Sequence, residues 1–166
     1  ARPVRLRAMT AVITPFAARD SHWVVQEHQR HYEQGEGFDA RFSPLVSRIL
    51  SDFAERNDPQ EQGWVARDGA ARMGCVFCMR HADGYAQLRL FYLVPEARGR
   101  GLGRRLLETC MAWARAQGFA EMRLWTHASH EAACALYQKS GFVCDSSRPV
   151  QSFGCDLVEQ VWHRTL

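Results

Sequence analysis

The chain has 166 residues, 46% hydrophobic and 23% charged, which suits a single domain with a sizeable core, residues 1–166, and excludes a disordered or fibrous chain. A formal net charge of +3 at pH 7 is too mild to argue by itself for nucleic acid or a membrane surface. No apolar run reaches the roughly 18 residues of a membrane-spanning helix.

In chain order, Val4–Ile13 alternates as a strand that Thr14-Pro15 should end. With Asp20 or Ser21 as cap, His22–Tyr32 reads as a helix stopped by Gly35 and Gly37, on which His22, His28 and His31 are taken as solvated. A second helix follows, with Ser43 as cap and Pro44 at its first position. Phe42, Leu45, Val46, Ile49, Leu50 and Phe53 give it one apolar face to lay on a sheet. Asn57–Gly63 is a polar loop. Trp64–Arg67, Ala71–Arg80 and Ala86–Val94, separated by Asp68-Gly69 and Asp83-Gly84, make an antiparallel meander, and Pro95 closes it.

Leu102, Leu106, Cys110 and Ala114 recur every four residues with Leu107 and Met111 beside them, a long amphipathic helix ending at Gly118. Glu121–Thr126 is a strand. Ser129 caps a short helix, His130–Ser140, which Gly141 ends; Phe142–Cys144 and Asp156–Arg164 are the last strands. The order is β-α-α-β-β-β-α-β-α-β-β without internal repeats.

Six cysteines occupy positions 75, 78, 110, 134, 144 and 155. Cys75 and Cys78 fall in a strand run, Cys110 and Cys134 in helix patterns, so they read as reduced, buried thiols of a cytoplasmic protein. The CxxC of residues 75–78 would point its thiols to opposite faces of a strand, and no second CxxC or suitably spaced His pair completes a zinc set, so no metal is expected.

The stretch Arg98-Gly99-Arg100-Gly101-Leu102-Gly103-Arg104-Arg105 lies between a strand and a helix, where unpaired N–H groups and the positive end of the helix dipole attract anions. It fails the P-loop pattern, because Leu106-Leu107 stand where Lys and Ser/Thr are needed. It fails GxGxxG in both frames, which would require glycine at Arg104 or Leu106. It fits [Gln/Arg]-x-x-Gly-x-[Gly/Ala] through Arg98, Gly101 and Gly103. With Val94-Pro95 before it, Leu106-Leu107 after it, and Ala135-Leu136-Tyr137-Gln138-Lys139-Ser140-Gly141-Phe142 downstream, it resembles the acyl-coenzyme-A loop and the A-L-Y-x-x-x-G-F helix end of the GNAT superfamily of N-acetyltransferases. Leu124-Trp125-Thr126 and Ser152–Trp162 resemble, more narrowly, the acetyltransferase half of bacterial proteins fused to a winged-helix regulator; no winged-helix pattern occurs in these residues.

That resemblance implies an α+β fold: a twisted, mostly antiparallel sheet of about seven strands flanked by about four helices. It implies acetyl-CoA as cosubstrate, its pyrophosphate cradled by Gly99, Arg100, Gly101, Leu102, Gly103 and Arg104 with Arg98 on the rim. The pantetheine arm would pair with Phe91, Tyr92 and Leu93 by strand addition, and an N–H near Leu93 would stabilise the oxyanion.

Tyr137 stands at the family's acid position, with packing against the sheet as its plainer role. No carboxylate occupies the family's usual base positions, which hold Gln87 and Trp125 here. His127 and His130 are the available titrating groups, and His130 also stands where relatives contact the pantetheine arm. Glu36 and Asp39 could draw a cationic acceptor, against a plainer reading as solvated loop carboxylates. Trp23, Tyr32, Phe38, Trp64 and Phe153 divide between an acceptor cleft and core packing.

The expected partner is therefore an amine of a small molecule or peptide, with a homodimer left open. A non-catalytic acyl-CoA sensor is the second reading. Nucleic-acid binding through Arg98, Arg100, Arg104 and Arg105 lacks a companion aromatic platform or helix-turn-helix.

Overall fold

The computed structural model describes residues 10–166. They form one seven-stranded sheet in the order β1-β2-β3-β4-β5-β7-β6, made of β1 (Val12–Pro15), β2 (Gln62–Asp68), β3 (Ala71–Arg80), β4 (Ala86–Leu93), β5 (Glu121–His127), β6 (Val143–Ser152) and β7 (Cys155–Thr165). Neighbouring strands are antiparallel except β4 and β5. The helices are α1 (Ser21–His28), α2 (Phe42–Arg56), α3 (Leu102–Ala116) and α4 (Glu131–Lys139). The expected fold class and element order are both found.

The alternation of β3 shows how the two faces are filled. Phe77 meets Phe53 of α2 at 5.3 Å and Phe16 at 4.9 Å between ring centroids, so α2 lies on the sheet as its apolar stripe requires. One residue on, Cys78 turns to the other face beside Cys110 of α3, where Trp64 meets Trp113 at 5.9 Å. Cys75 and Cys78 thus point to opposite faces, and all six cysteines are free thiols, although only Cys75, Cys78 and Cys110 are buried, Cys134 and Cys155 being half-buried and Cys144 exposed. Leu102, Leu106, Leu107, Cys110, Met111 and Ala114 of α3 are buried, each leucine contributing about 1.5–3 kcal/mol.

Several boundaries differ from the sequence expectation. Most of the expected strand Val4–Ile13 lies outside the described residues. The described β1 runs on through Pro15, because at a sheet edge the missing N–H is not needed and Phe16 donates to the Gly63 carbonyl at 2.8 Å. Ser43 does not cap α2: the Phe42 N–H bonds to the Asp39 carbonyl and the helix begins at Phe42. Nor does Ser129 cap α4, whose N-cap is His130 without a side-chain bond. β6 was expected to stop at Cys144 but runs to Ser152; its polar tail is an edge strand held by pairing with β7, which leaves no burial periodicity to read.

Asp20 is fully buried where a cap was expected. Its carboxylate accepts from the Ala17 N–H at 3.0 Å, from Arg67 Nη2 at 2.7 Å and from Arg72 Nε at 2.9 Å. Burial works to raise its pKa, but these bonds outweigh it and hold the carboxyl below its ordinary value. The group ties the start of α1 to β2 and β3.

His28 is not solvated, as its helix position suggested, but only 3% exposed, its ring between Tyr32 and Tyr92 and its Nδ1 2.7 Å from the Val24 carbonyl. Burial pushes its pKa down to about 4. The unfolded chain, with an ordinary histidine, therefore binds the proton more readily. The contribution of neutral His28 is complete above about pH 6.5 and disappears as pH falls through about 4, amounting to on the order of 3 kcal/mol. The urea midpoint should fall steeply between those values, and His28→Phe, which keeps an aromatic ring there, should flatten the fall. A profile unchanged by the substitution would remove His28 as the cause.

Candidate active site

β4 and β5 pair only at Ala86–Met122 and Gln87–Arg123. Beyond Gln87 the two strands part. A register shift opposite Cys75–Phe77 and a positive φ of 49° at Leu90 swing β4 away, while β5 stays paired to β7 through His127. The Val94 N–H returns to the Met73 carbonyl on β3 at 3.0 Å. By the alternation of a strand, the N–H and C=O of Leu93 therefore face the gap. Phe91 and Leu93 send side chains to the α3 face, Phe91 toward Tyr137 at 6.4 Å and Leu93 toward Gly103, and Tyr92 sends its own to α1.

At the end of β4 the chain makes a short turn over Pro95–Ala97 and enters α3 through Gly99 and Gly101, at φ 73° and 80°. That left-handed backbone favours glycine. Gly101 is the N-cap and no side chain caps the helix. Among the described residues, the N–H groups of Gly99 to Arg104 find no acceptor, so an anion here meets backbone donors at the positive end of a helix of 15 residues. Gly103 permits the approach of α3 to β4: a Cβ there would lie 3.2 Å from Leu93 Cδ1 and 3.4 Å from Leu136 Cδ2.

The arginines divide their work. Arg98 donates to the Leu93 carbonyl at 3.1 and 3.3 Å, Arg104 pairs with Glu108 at 2.9 Å, and Arg105 donates to the Ala11 carbonyl at 2.8 Å. Arg100 is exposed and makes no ion pair among the described residues.

Tyr137 is buried on α4, its ring near Phe91, Phe142 and Trp162. Burial pushes the phenol pKa up, with the neighbouring Tyr32 adding to it, so the hydroxyl keeps its proton at neutral pH. Its O–H has no partner among the described residues, which leaves it available as a donor.

Beyond the end of β5 stands a polar group assembled from distant segments. His130 Nε2 lies 2.8 and 3.1 Å from the Glu36 carboxylate, and His31 Nε2 lies 3.4 Å from the same group. His127 is 5.5 Å from His130 between centroids, and both burial and that neighbour push its pKa down. Burial likewise lowers His31, against the pull of Glu36. Glu36 is therefore not a freely solvated loop carboxylate but is hydrogen-bonded to His130, with the His31 ring close by.

Its placement depends on α1 continuing past His28 as a π-helical segment, Gln29–Gly35. In an ordinary α-helix, residues five apart are separated by about 140° around the axis. The wider turn, with i→i+5 bonds, brings His31 and Glu36 together, a device often found at functional sites.

The tip of the β6–β7 hairpin covers this loop. The Asp39 N–H donates to the Phe153 carbonyl at 2.9 Å, and Phe153 stacks on Phe38 at 5.4 Å, with Tyr32 and Phe42 completing the cluster. Asp39 itself is taken by Arg41. Of the aromatic candidates, Trp64 is core and the others border the site. On the α1 face a cavity of about 760 Å³ is lined by Trp23, Glu27, His31, Glu36, Tyr92 and Val94. Glu27, which sequence reading passed over, is buried and accepts from the Tyr92 hydroxyl at 3.0 Å. The spacing Trp23, Glu27, His31 along one helical row was the signal available for it.

A sheet opened between its two parallel strands, with a donor-lined glycine turn where one of them ends, is the architecture of acyl-coenzyme-A acetyltransferases. Residues 22–142 match the acetyltransferase (GNAT) family, and the chain belongs to it. The IAA acetyltransferase of Azospirillum brasilense is 34% identical over 100 residues, 60% of this chain and 65% of that protein. N-acetyltransferase 8 of Rattus norvegicus is 34% identical over 84 residues, 48% of this chain and 38% of that protein. These matches span less than two thirds of either relative. Among solved structures, the Sinorhizobium meliloti phosphinothricin acetyltransferase in complex with AcCoA superposes with TM-score 0.80 over 95% of this chain and 89% of that one, at 22% identity. The ribosomal-protein-alanine N-acetyltransferase of Brucella melitensis gives 0.79 over 93% and 99%, at 19% identity. At such identities the likeness is one of fold. No helix among the described residues is long and apolar enough to cross a membrane.

The Glu27–Tyr92 bond joins α1 to β4 beneath the gap. Tyr92→Phe leaves a buried carboxylate short of one donor and should lower stability by about 2 kcal/mol, read from the urea midpoint; a change within error would show that solvent replaces the hydroxyl there.

Proposed function

We propose that the chain catalyses transfer of the acetyl group of acetyl-CoA to an amine by direct attack, in a complex holding both substrates. The observation that carries this reading is the gap between β4 and β5. An anion-ready glycine turn follows the end of β4 on one side of its mouth, and His127, His130 and the Tyr137 helix follow the end of β5 on the other.

The N–H groups of Gly99 to Arg104 would hold the pyrophosphate, with Arg98 and Arg100 as the cationic rim. The free edge of Phe91–Leu93 would pair with the amide-bearing pantetheine arm. Arg98 now occupies the Leu93 carbonyl and would exchange that bond for the cofactor. The Leu93 N–H, facing the gap, would donate to the oxyanion.

Glu36 accepts the Nε2–H of His130, which orients the ring and leaves Nδ1 to take the amine's proton through water. The amine nitrogen then bonds to the carbonyl carbon and the carbon–sulfur bond breaks. Tyr137 gives its proton to the departing thiolate, whose thiol has a pKa of about 8.5. His127, held neutral beside His130, is the second imidazole at the mouth. The acceptor would enter over Tyr32, Phe38 and Phe153, as an amine on a small molecule or a peptide. Six free thiols fit a reducing, cytoplasmic setting.

A screen of acetyl-CoA turnover across amines, read as thiol release, tests the reading. Tyr137→Phe should lower kcat by about 10²–10⁴-fold while coenzyme A still binds, and Glu36→Gln should lower kcat and alter its pH profile. Gly103→Val should act differently, raising KM for acetyl-CoA by displacing α3 from β4. Tight coenzyme A binding with no amine acetylated would overturn the enzyme and leave an acyl-CoA sensor.

A further inference from the structure

We propose that His31, Glu36 and His130 form a binding site for a divalent transition-metal ion of zinc-like chemistry, and that the bound ion switches acetyl transfer off by taking the side chains that would receive the amine's proton. The second half rests on the proposed function; the binding half does not.

The donor set is two imidazoles and one carboxylate, each offering an atom within 4.8 Å of the others. It is the ligand type of zinc sites that keep one position open. Ligands about 2.1 Å from a tetrahedral ion stand roughly 3.4 Å apart. On Glu36 Oε2, His31 Nε2 already stands at 3.4 Å, and His130 Nε2, at 3.1 Å, has only to back away by a fraction of an ångström.

The backbone that carries these side chains is held before any ion arrives. Glu36 N–H bonds to the Tyr32 carbonyl at 3.2 Å, and His130 N–H to the His127 carbonyl at 3.0 Å. All three side chains are 19–28% exposed, so the site is reachable while Tyr32 walls one side. Arg98, on the Leu93 carbonyl, is the nearby positive charge that opposes the ion. One carboxylate facing that charge gives a site that loads and unloads, rather than a structural one.

No sequence spacing announces it. The two histidines are 99 positions apart, and Glu36 joins them only because the π-helical turn closes over five residues.

The test uses the full chain stripped of metal, titrated calorimetrically with Zn²⁺ and followed by visible absorption with Co²⁺. One ion per chain is expected, with a tetrahedral Co²⁺ spectrum lacking thiolate charge transfer. Affinity should fall about tenfold or more in both His31→Ala and Glu36→Gln, which circular dichroism should show folded, and stay unchanged in Cys144→Ser. In turnover, Zn²⁺ should lower kcat and leave the apparent KM for acetyl-CoA unchanged. Absence of one-to-one binding would overturn the proposal, as would equal affinity in His31→Ala and Glu36→Gln, or a loss confined to Cys144→Ser. If no amine is acetylated, the calorimetric comparison still decides the site.

Discussion

The separation of β4 from β5 beyond Gln87 is the constraint on which the rest of the molecule depends. Two parallel strands that stayed paired to their ends would satisfy every backbone group and leave nowhere for an extended ligand to add. Here Leu90 adopts a positive φ and accepts from the Cys75 thiol at 3.2 Å, an irregularity placed where the strands diverge. The opened edge must still be supported, and it is supported from both faces. Gly103 lets α3 press against Leu93, while Tyr92 reaches the opposite way to Glu27.

Charge is distributed in keeping with that division. The glycine turn offers backbone dipoles rather than a dense arginine cluster, since Arg98, Arg104 and Arg105 are each already bonded. Across the gap, Glu36 is bonded to His130 and has His31 close by, a different situation from Asp20, whose partners are two permanently charged arginines that tie α1 to the sheet.

Much of this was legible in the residues. The meander, the α3 stripe, the opposite faces of Cys75 and Cys78, and the glycine turn follow from periodicities of two and 3.6 and from the positions of glycine and proline. Tyr137 could be placed at the gap only through likeness to a family. His28 and His31 were misread for a single reason: a helix face looks polar in sequence whether it meets water or the hydroxyl and imidazole of its neighbours. Glu36 was seen as a carboxylate in a loop because α-helical spacing puts it away from His31. β6 was cut short because an edge strand with Asp145, Ser146, Ser147 and Arg148 carries no burial pattern at all.

The hairpin that covers the site has a further consequence for how such a chain can change. Asp39 is bonded to the Phe153 carbonyl, and the Cys155 thiol lies 3.3 Å from the Gly37 carbonyl, so the loop bearing Glu36 is stitched to the tip of β6–β7 on both sides of Phe38. A substitution at Phe153 or Gly154 therefore moves more than the aromatic cluster around Phe38; it shifts the carboxylate bonded to His130. In the proposed mechanism specificity and proton transfer would share one hinge, and drift in one loop would have to be matched in the other before a new acceptor could be accommodated.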